Sequence, residues 1–239
     1  MKSFRFILMM TALALLCSCG GDDKITNENN PENQGQGGET PQVEEKTVEL
    51  PSSSWTDNGY FDGMLYYKII SNNPMEATVY SCEKSAKSVL IPTWLKIDDK
   101  TYKVTDIANS AFKECVGLTS IEFPNSVTSI GEGAFANCNR LTSIEIPNNV
   151  TSIGSSAFYN CPGLTSVTIP NSVTSIGHLA FCFCKRLTSV HIKCSNPPST
   201  IYGSCFDSVI ETLYVPIGTK SKYASTSPWN NAFQNIVEE

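Results

Sequence analysis

At 239 residues, 41% of them hydrophobic and 17% charged, the chain has enough apolar side chains for one large or two small folded domains. Its net charge of −6 is unevenly placed. Between Gly20 and Thr47, seven acids (Asp22, Asp23, Glu28, Glu32, Glu39, Glu44, Glu45) against Lys24 and Lys46 carry all but one of those charges. The rest is close to neutral with no basic stripe, which argues against nucleic acid as a partner.

The first element, residues 1–18, reads as a signal peptide. Lys2 and Arg5 precede an apolar run from Phe6 to Leu16 that is too short to span a membrane. Leu16-Cys17-Ser18-Cys19 resembles a bacterial lipobox, with Ser18 the small residue before the cysteine to be lipidated. Cys19 is therefore the expected lipidation site; Cys17 fits less well because Leu16 sits directly before it. Residues 19–47 hold almost nothing to bury and are expected to form a disordered tether with a reach of roughly 30 Å. Gly20-Gly21-Asp22-Asp23-Lys24 is similar to the acidic tract that sends some Gram-negative lipoproteins to the cell surface. The expected address is an exported outer-membrane lipoprotein exposed at that surface, attached to the membrane through its lipid alone.

Residues 48–101 hold Phe61-x-Gly63-x-Leu65-x-Tyr67 and Thr78-Val79-Tyr80, with the turn signal Ser71-Asn72-Asn73-Pro74 between them. Residues 102–206 then repeat. Phe112, Phe135, Phe158 and Phe181 recur every 23 residues, as do Cys115, Cys138, Cys161 and Cys184. A fixed period of this length implies a solenoid in which each unit is one coil stacked on the last. Leu118-x-x-Ile121-x-Phe123 and its equivalents from Leu141, Leu164 and Leu187 predict a strand, which Pro124, Pro147 and Pro170 end because proline offers no N–H to a ladder. Val127-Thr128-Ser129-Ile130-Gly131 predicts a second short strand whose glycine permits a backbone turn. Ala134, Phe135 and Cys138 predict a helical turn with phenylalanine as the main filler. The unit from Leu187 carries Lys193 in place of proline and Asn196-Pro197-Pro198 in place of Val-Thr-Ser-Ile-Gly, so regular coiling is expected to fail there. Residues 207–239 carry Leu213-Tyr214-Val215-Pro216, Tyr223, Trp229, Phe233 and Ile236.

These units resemble the BspA-like leucine-rich repeats of bacterial surface proteins. The resemblance is close over about Tyr102 to Val190 and weaker at both ends, where it implies a β-rich N-terminal cap over residues 48–101, with residues 71–74 as the turn between its strands, and an irregular C-terminal cap over residues 207–239. It implies a mainly β, right-handed leucine-rich-repeat solenoid of 23-residue coils with short helical turns, and a role as an adhesin for a protein or glycan.

Other motifs have plainer readings. Gly131-Glu132-Gly133-Ala134-Phe135-Ala136 matches a dinucleotide fingerprint, but Gly133 becomes Ser156 and Leu179 in later units and no β-α-β unit surrounds it. The cysteines at 23-residue spacing read as buried hydrophobes, whose parallel directions argue against bridging. Cys182, Cys184, Cys194 and Cys205 leave room for a cap disulfide, and lack the paired spacing of a zinc site. With only His178 and His191, scattered acids and no nucleophile motif, neither catalytic residues nor a cofactor nor a metal is expected. Glu122 above Glu145 imitates a carboxylate pair but reads better as a solvated ladder. A threonine face of the ice-binding kind does not fit columns that mix Ser, Glu, Thr and His. The candidate binding face is the outward strip Ser120, Glu122, Ser143, Glu145, Ser166, Thr168, Ser189 and His191. A structural or assembly role in the cell envelope is the alternative, and a hydrolase the weakest reading.

Overall fold

The computed structural model describes residues 45–57, 59–200, 205–206 and 209–239. The signal peptide, Cys19 and nearly all of the tether lie outside these residues. The chain opens with β1 (Thr47–Leu50), β2 (Trp55–Thr56), β3 (Gly59–Phe61), β4 (Leu65–Asn72) and β5 (Met75–Cys82). β2 to β5 form an antiparallel meander, and Asn73-Pro74 turns β4 back as β5. β6 (Ser88–Leu90), β7 (Trp94–Ile97) and β8 (Lys100–Ile107) follow. β8 is the junction: it pairs antiparallel with β7, parallel with β5, and through Asp106 and Ile107 parallel with the first repeat strand, β10 (Ser129–Ile130).

The boundary expected at 101/102 therefore cuts through β8, and the coiling starts earlier. Ser88-Val89-Leu90 lies in parallel register with Ser120-Ile121-Glu122 of β9 (Ser120–Glu122). The two serines are 32 residues apart, nine more than the repeat period, and the β7–β8 hairpin occupies the insertion.

From β9 to β16 each coil supplies two strands. The first set is β9, β11 (Ser143–Glu145), β13 (Ser166–Ile169), β15 (Ser189–Ile192) and β17 (Ile210–Val215); the second is β10, β12 (Ser152–Ile153), β14 (Ser175–Ile176) and β16 (Ser199–Thr200). Parallel pairing joins β8-β10-β12-β14-β16 in one sheet and β11-β13-β15-β17 in another, which β18 (Phe233–Glu238) ends. Regular stacking thus continues past Asn196-Pro197-Pro198, because Ser199 still meets Ser175. The closing coil is irregular only in its connection, where α1 (Lys220–Ser225) and the buried Tyr223 and Trp229 cover the end of the core.

The expected helical turn is instead a third ladder. The N–H groups of Ser110, Phe112 and Glu114 donate to Glu132, Ala134 and Ala136 of the next coil at 2.7–2.8 Å, whereas those of Ala111, Lys113 and Cys115 close turns within their own coil. A helix would aim every N–H along its own axis and leave nothing to join the coils. The first and last of these turns take a left-handed residue at their third position, and Ser110 and Glu114, Gly133 and Asn137, Ser156 and Asn160, Leu179 and Phe183 all have φ of 54–64°. Gly131, Gly154 and Gly177 serve another purpose than the turn expected of them. A Cβ there would meet backbone nitrogen of the preceding coil at 2.6, 2.6 and 2.3 Å, so only glycine lets the coils close up.

Inside, Phe112, Phe135, Phe158, Phe181 and Phe206 form one stack with centroids 4.9, 5.2, 5.2 and 5.6 Å apart. The cysteine column beside it does more than fill space. Cys138, Cys161 and Cys184 each donate a thiol hydrogen bond of 3.1 Å to a phenylalanine carbonyl of the preceding coil. All eight described cysteines are buried, and burial pushes the Cys138 thiol up to about 12. Native protein should therefore leave Cys115, Cys138 and Cys161 unlabelled by maleimide, with labelling only after denaturation; rapid native labelling would contradict this packing.

Candidate binding face

The first sheet places the expected strip by simple alternation. Ile144, Val167 and Val190 point into the core, so the residues on either side of each point out. Ser143, Ser166 and Ser189 are register partners, as are Glu145, Thr168 and His191. Ser120 and Glu122 do not join this row. β9 shares its ladder with β6 and none with β11 among the described residues; Ser120 Oγ donates to Ser88 Oγ at 2.9 Å, and Glu122 is partnered by Leu90. At this break Phe123 stands where later coils hold Ile146 and Ile169, and its ring lies edge-on to Phe135 at 5.9 Å. Glu122 and Glu145 are thus exposed but not ladder partners, contrary to the single column expected of them.

The row runs further in the other direction. Thr212 and Asn235 continue the serine line, and Tyr214 and Val237 continue the line of Glu145. The period itself could have found them, since 23 residues separate Ser189, Thr212 and Asn235, and also His191, Tyr214 and Val237. The replaced apolar consensus hid it.

Along the row the chemistry changes. Glu145 is exposed and Thr168 half-buried, while His191 stacks on Tyr214 with centroids 4.3 Å apart and planes 6° from parallel. His191 Nδ1 lies 3.1 Å from Glu239 Oε1, and Lys193 Nζ donates to the same oxygen at 2.7 Å. The Lys193 hydrogen bond, aided by His191 and opposed by partial burial, holds the Glu239 carboxyl below the usual range. His191 is therefore clamped by the closing strand. Threonine hydroxyls stiffen the rim: Thr165 Oγ1 donates to the Thr142 carbonyl at 3.1 Å and Thr188 Oγ1 to that of Thr165 at 3.4 Å. On the second sheet Thr151, Thr174 and Ser199 repeat the pattern at 3.3, 3.1 and 3.0 Å.

His178 lies on the turn side and His191 on the strip, so the two histidines share no site. Among the described residues no group of three His, Cys, Asp or Glu side chains could hold a metal ion, and no helix is long and apolar enough to cross a membrane. The strip is a flat row, not a pocket.

Residues 105–236 match the BspA type leucine rich repeat region in six copies. The chain belongs to the BspA-type leucine-rich repeat family. A solved structure agrees on the fold: a leucine rich cell surface protein of Faecalibacterium prausnitzii A2-165 is 23% identical over 77% of this chain and 55% of its own, with a TM-score of 0.50. The T. pallidum leucine rich repeat protein TpLRR is 22% identical over 66% of this chain and 85% of its own, at a TM-score of 0.47. The pneumococcal vaccine antigen PcpA is 20% identical over 66% of this chain and 50% of its own, also at 0.47. Among curated proteins no relative matches. The six BspA-type copies reach into β18, so the family match also takes in Tyr214 and ends one residue short of Val237.

Proposed function

We propose that this BspA-type repeat protein is a surface-anchored lipoprotein whose first sheet binds a macromolecular partner, a protein or a glycan. The observation that carries the reading is the in-register outward row from Ser143 and Glu145 to Asn235 and Val237. A rigid, flat, hydrogen-bonded row suits an extended partner and cannot hold a small substrate away from water, which is also why an enzymatic reading is set aside. The surface address draws support from the charged-then-apolar N-terminus, from Ser18-Cys19, and from the cell-surface description of the F. prausnitzii structure.

Two experiments test it. Glu145→Arg with Thr168→Arg should weaken binding of the partner captured from cell envelopes by about tenfold or more while leaving the melting temperature nearly unchanged, since both side chains reach solvent. Replacing Cys19 by Ala should release the protein from membranes, because lipid at that residue is the expected anchor; membrane association of that variant would refute the lipoprotein reading. An assembly role is favoured by one feature, the outer edge of β18, which pairs with no further strand among the described residues. It would gain if changes in Phe233–Glu238 abolished capture and the double variant did not.

A further inference from the structure

The turn side of the stack, away from the strip, carries a dent made by a mismatch between coils. Equivalent positions there read Ser110, Gly133, Ser156 and Lys113, Ala136, Tyr159. One coil has small residues where both neighbours have larger ones. The result is a cavity of about 300 Å³, at the lower end of the range for small-ligand sites. It coincides with the Gly-x-x-Ala step of the fingerprint that no dinucleotide fold surrounds.

Its walls are chemically mixed. Tyr159 is half-buried and its ring is set edge-to-face against Phe183 at 5.1 Å. Asn137 Oδ1 accepts from Asn160 Nδ2 at 2.7 Å, which fixes the amide and leaves its own Nδ2 hydrogens without a partner among the described residues. Lys113 and Glu132 bring opposite charges to the rim, and neither side chain forms an ion pair among the described residues. Ser110 and Ser156 add hydroxyls.

We propose that this dent binds one sugar residue, the exposed pyranose of a glycan. For an ion of either sign the attraction of one rim charge is opposed by the repulsion of the other, so the rim gives little net preference for charge. A neutral polyol suits both, because each hydroxyl donates to a carboxylate and accepts from an ammonium or amide. Its apolar C–H face packs on an aromatic ring, whose negative face attracts the polarised hydrogens. The proposal does not rest on the strip, which lies on another side of the coil.

The test is a titration of the isotope-labelled full chain with galactose, mannose and N-acetylglucosamine, and separately with inorganic phosphate and adenosine, followed by amide resonances. At least one sugar should shift Glu132 to Asn137 and Ser156 to Asn160 with affinity of about a millimolar, while phosphate and adenosine leave them unmoved. Ala136→Tyr, which gives this coil the residue of the next at the same position, should abolish the shifts. Asn137→Gly, which keeps the left-handed backbone and deletes the amide, should weaken binding by about tenfold or more. It decides the matter if the tyrosine variant fails to fold. No shift with any sugar, shifts that neither variant alters, or binding of adenosine or phosphate instead would overturn the proposal. The Glu145→Arg, Thr168→Arg protein should bind the sugar normally, so loss of the dent and loss of the strip are separate results.

Discussion

Phe158→Ala is expected to lower the unfolding free energy by about 3–5 kcal/mol, read as a shift of the urea midpoint. Phe158 is 0% exposed and lies 5.2 Å from both Phe135 and Phe181. Those neighbours cannot move in to fill the void. Phe135 N–H donates to Ala157 and Phe158 N–H to Ala180, so backbone bonds fix the coil spacing whatever the side chain. Because each coil touches only its neighbours, the variant should also unfold less cooperatively, with the stack parting at the emptied rung. A midpoint close to that of the native sequence would mean the phenylalanine column does not hold the coils together.

Gly154→Ala is expected to be the next most damaging change, at about 1–3 kcal/mol or more from a single added methyl. The new Cβ would sit 2.6 Å from the Glu132 nitrogen and 2.6 Å from the Gly131 carbonyl carbon, both backbone atoms of the coil before. Backbone cannot rotate aside as a side chain can. Gly218→Ala is the control: its φ of +80° imposes local strain, but the methyl meets nothing within 4 Å. Thermal melts should rank Gly154→Ala below Gly218→Ala, and the reverse order would show that the coils are not as closely apposed as the ladders require.

Much of this was legible in the sequence wherever one residue type repeats for one physical reason. The 23-residue columns of phenylalanine and cysteine identify the core, and the prolines mark strand ends, because Val127, Val150 and Val173 each turn back onto a proline carbonyl. What escaped is of two kinds. Some signals have two causes: Ala134, Phe135 and Cys138 are spaced as on a helix, yet alternate N–H groups there bond across coils, and Gly131 looks like a turn residue yet answers to close approach. Other features are rungs whose consensus is gone. Ser88-Val89-Leu90, off the period by nine residues, is a member of the stack that only backbone pairing reveals, while Asn235-Ile236-Val237 keeps the period without the consensus. For the strip, alternation predicts which side chains face outward, but not that β9 pairs away from β11 or that Glu239 ties down His191.

The direction of the ladders also sets how the protein meets mechanical force. In the coils, hydrogen bonds on all sides run along the stacking axis, so tension along that axis opens them rung by rung. β1 is arranged otherwise. Its four residues pair side by side with Trp94 to Ile97, reinforced by the Glu49–Lys96 ion pair at 2.9 Å and by Trp94 Nε1 donating to Glu45 at 3.1 Å. Tension drawn along β1 loads these bonds in shear, together, and shear demands a higher rupture force than peeling. The chain therefore joins its N-terminal edge through a shear clamp, while the repeats behind it are built to give way one at a time.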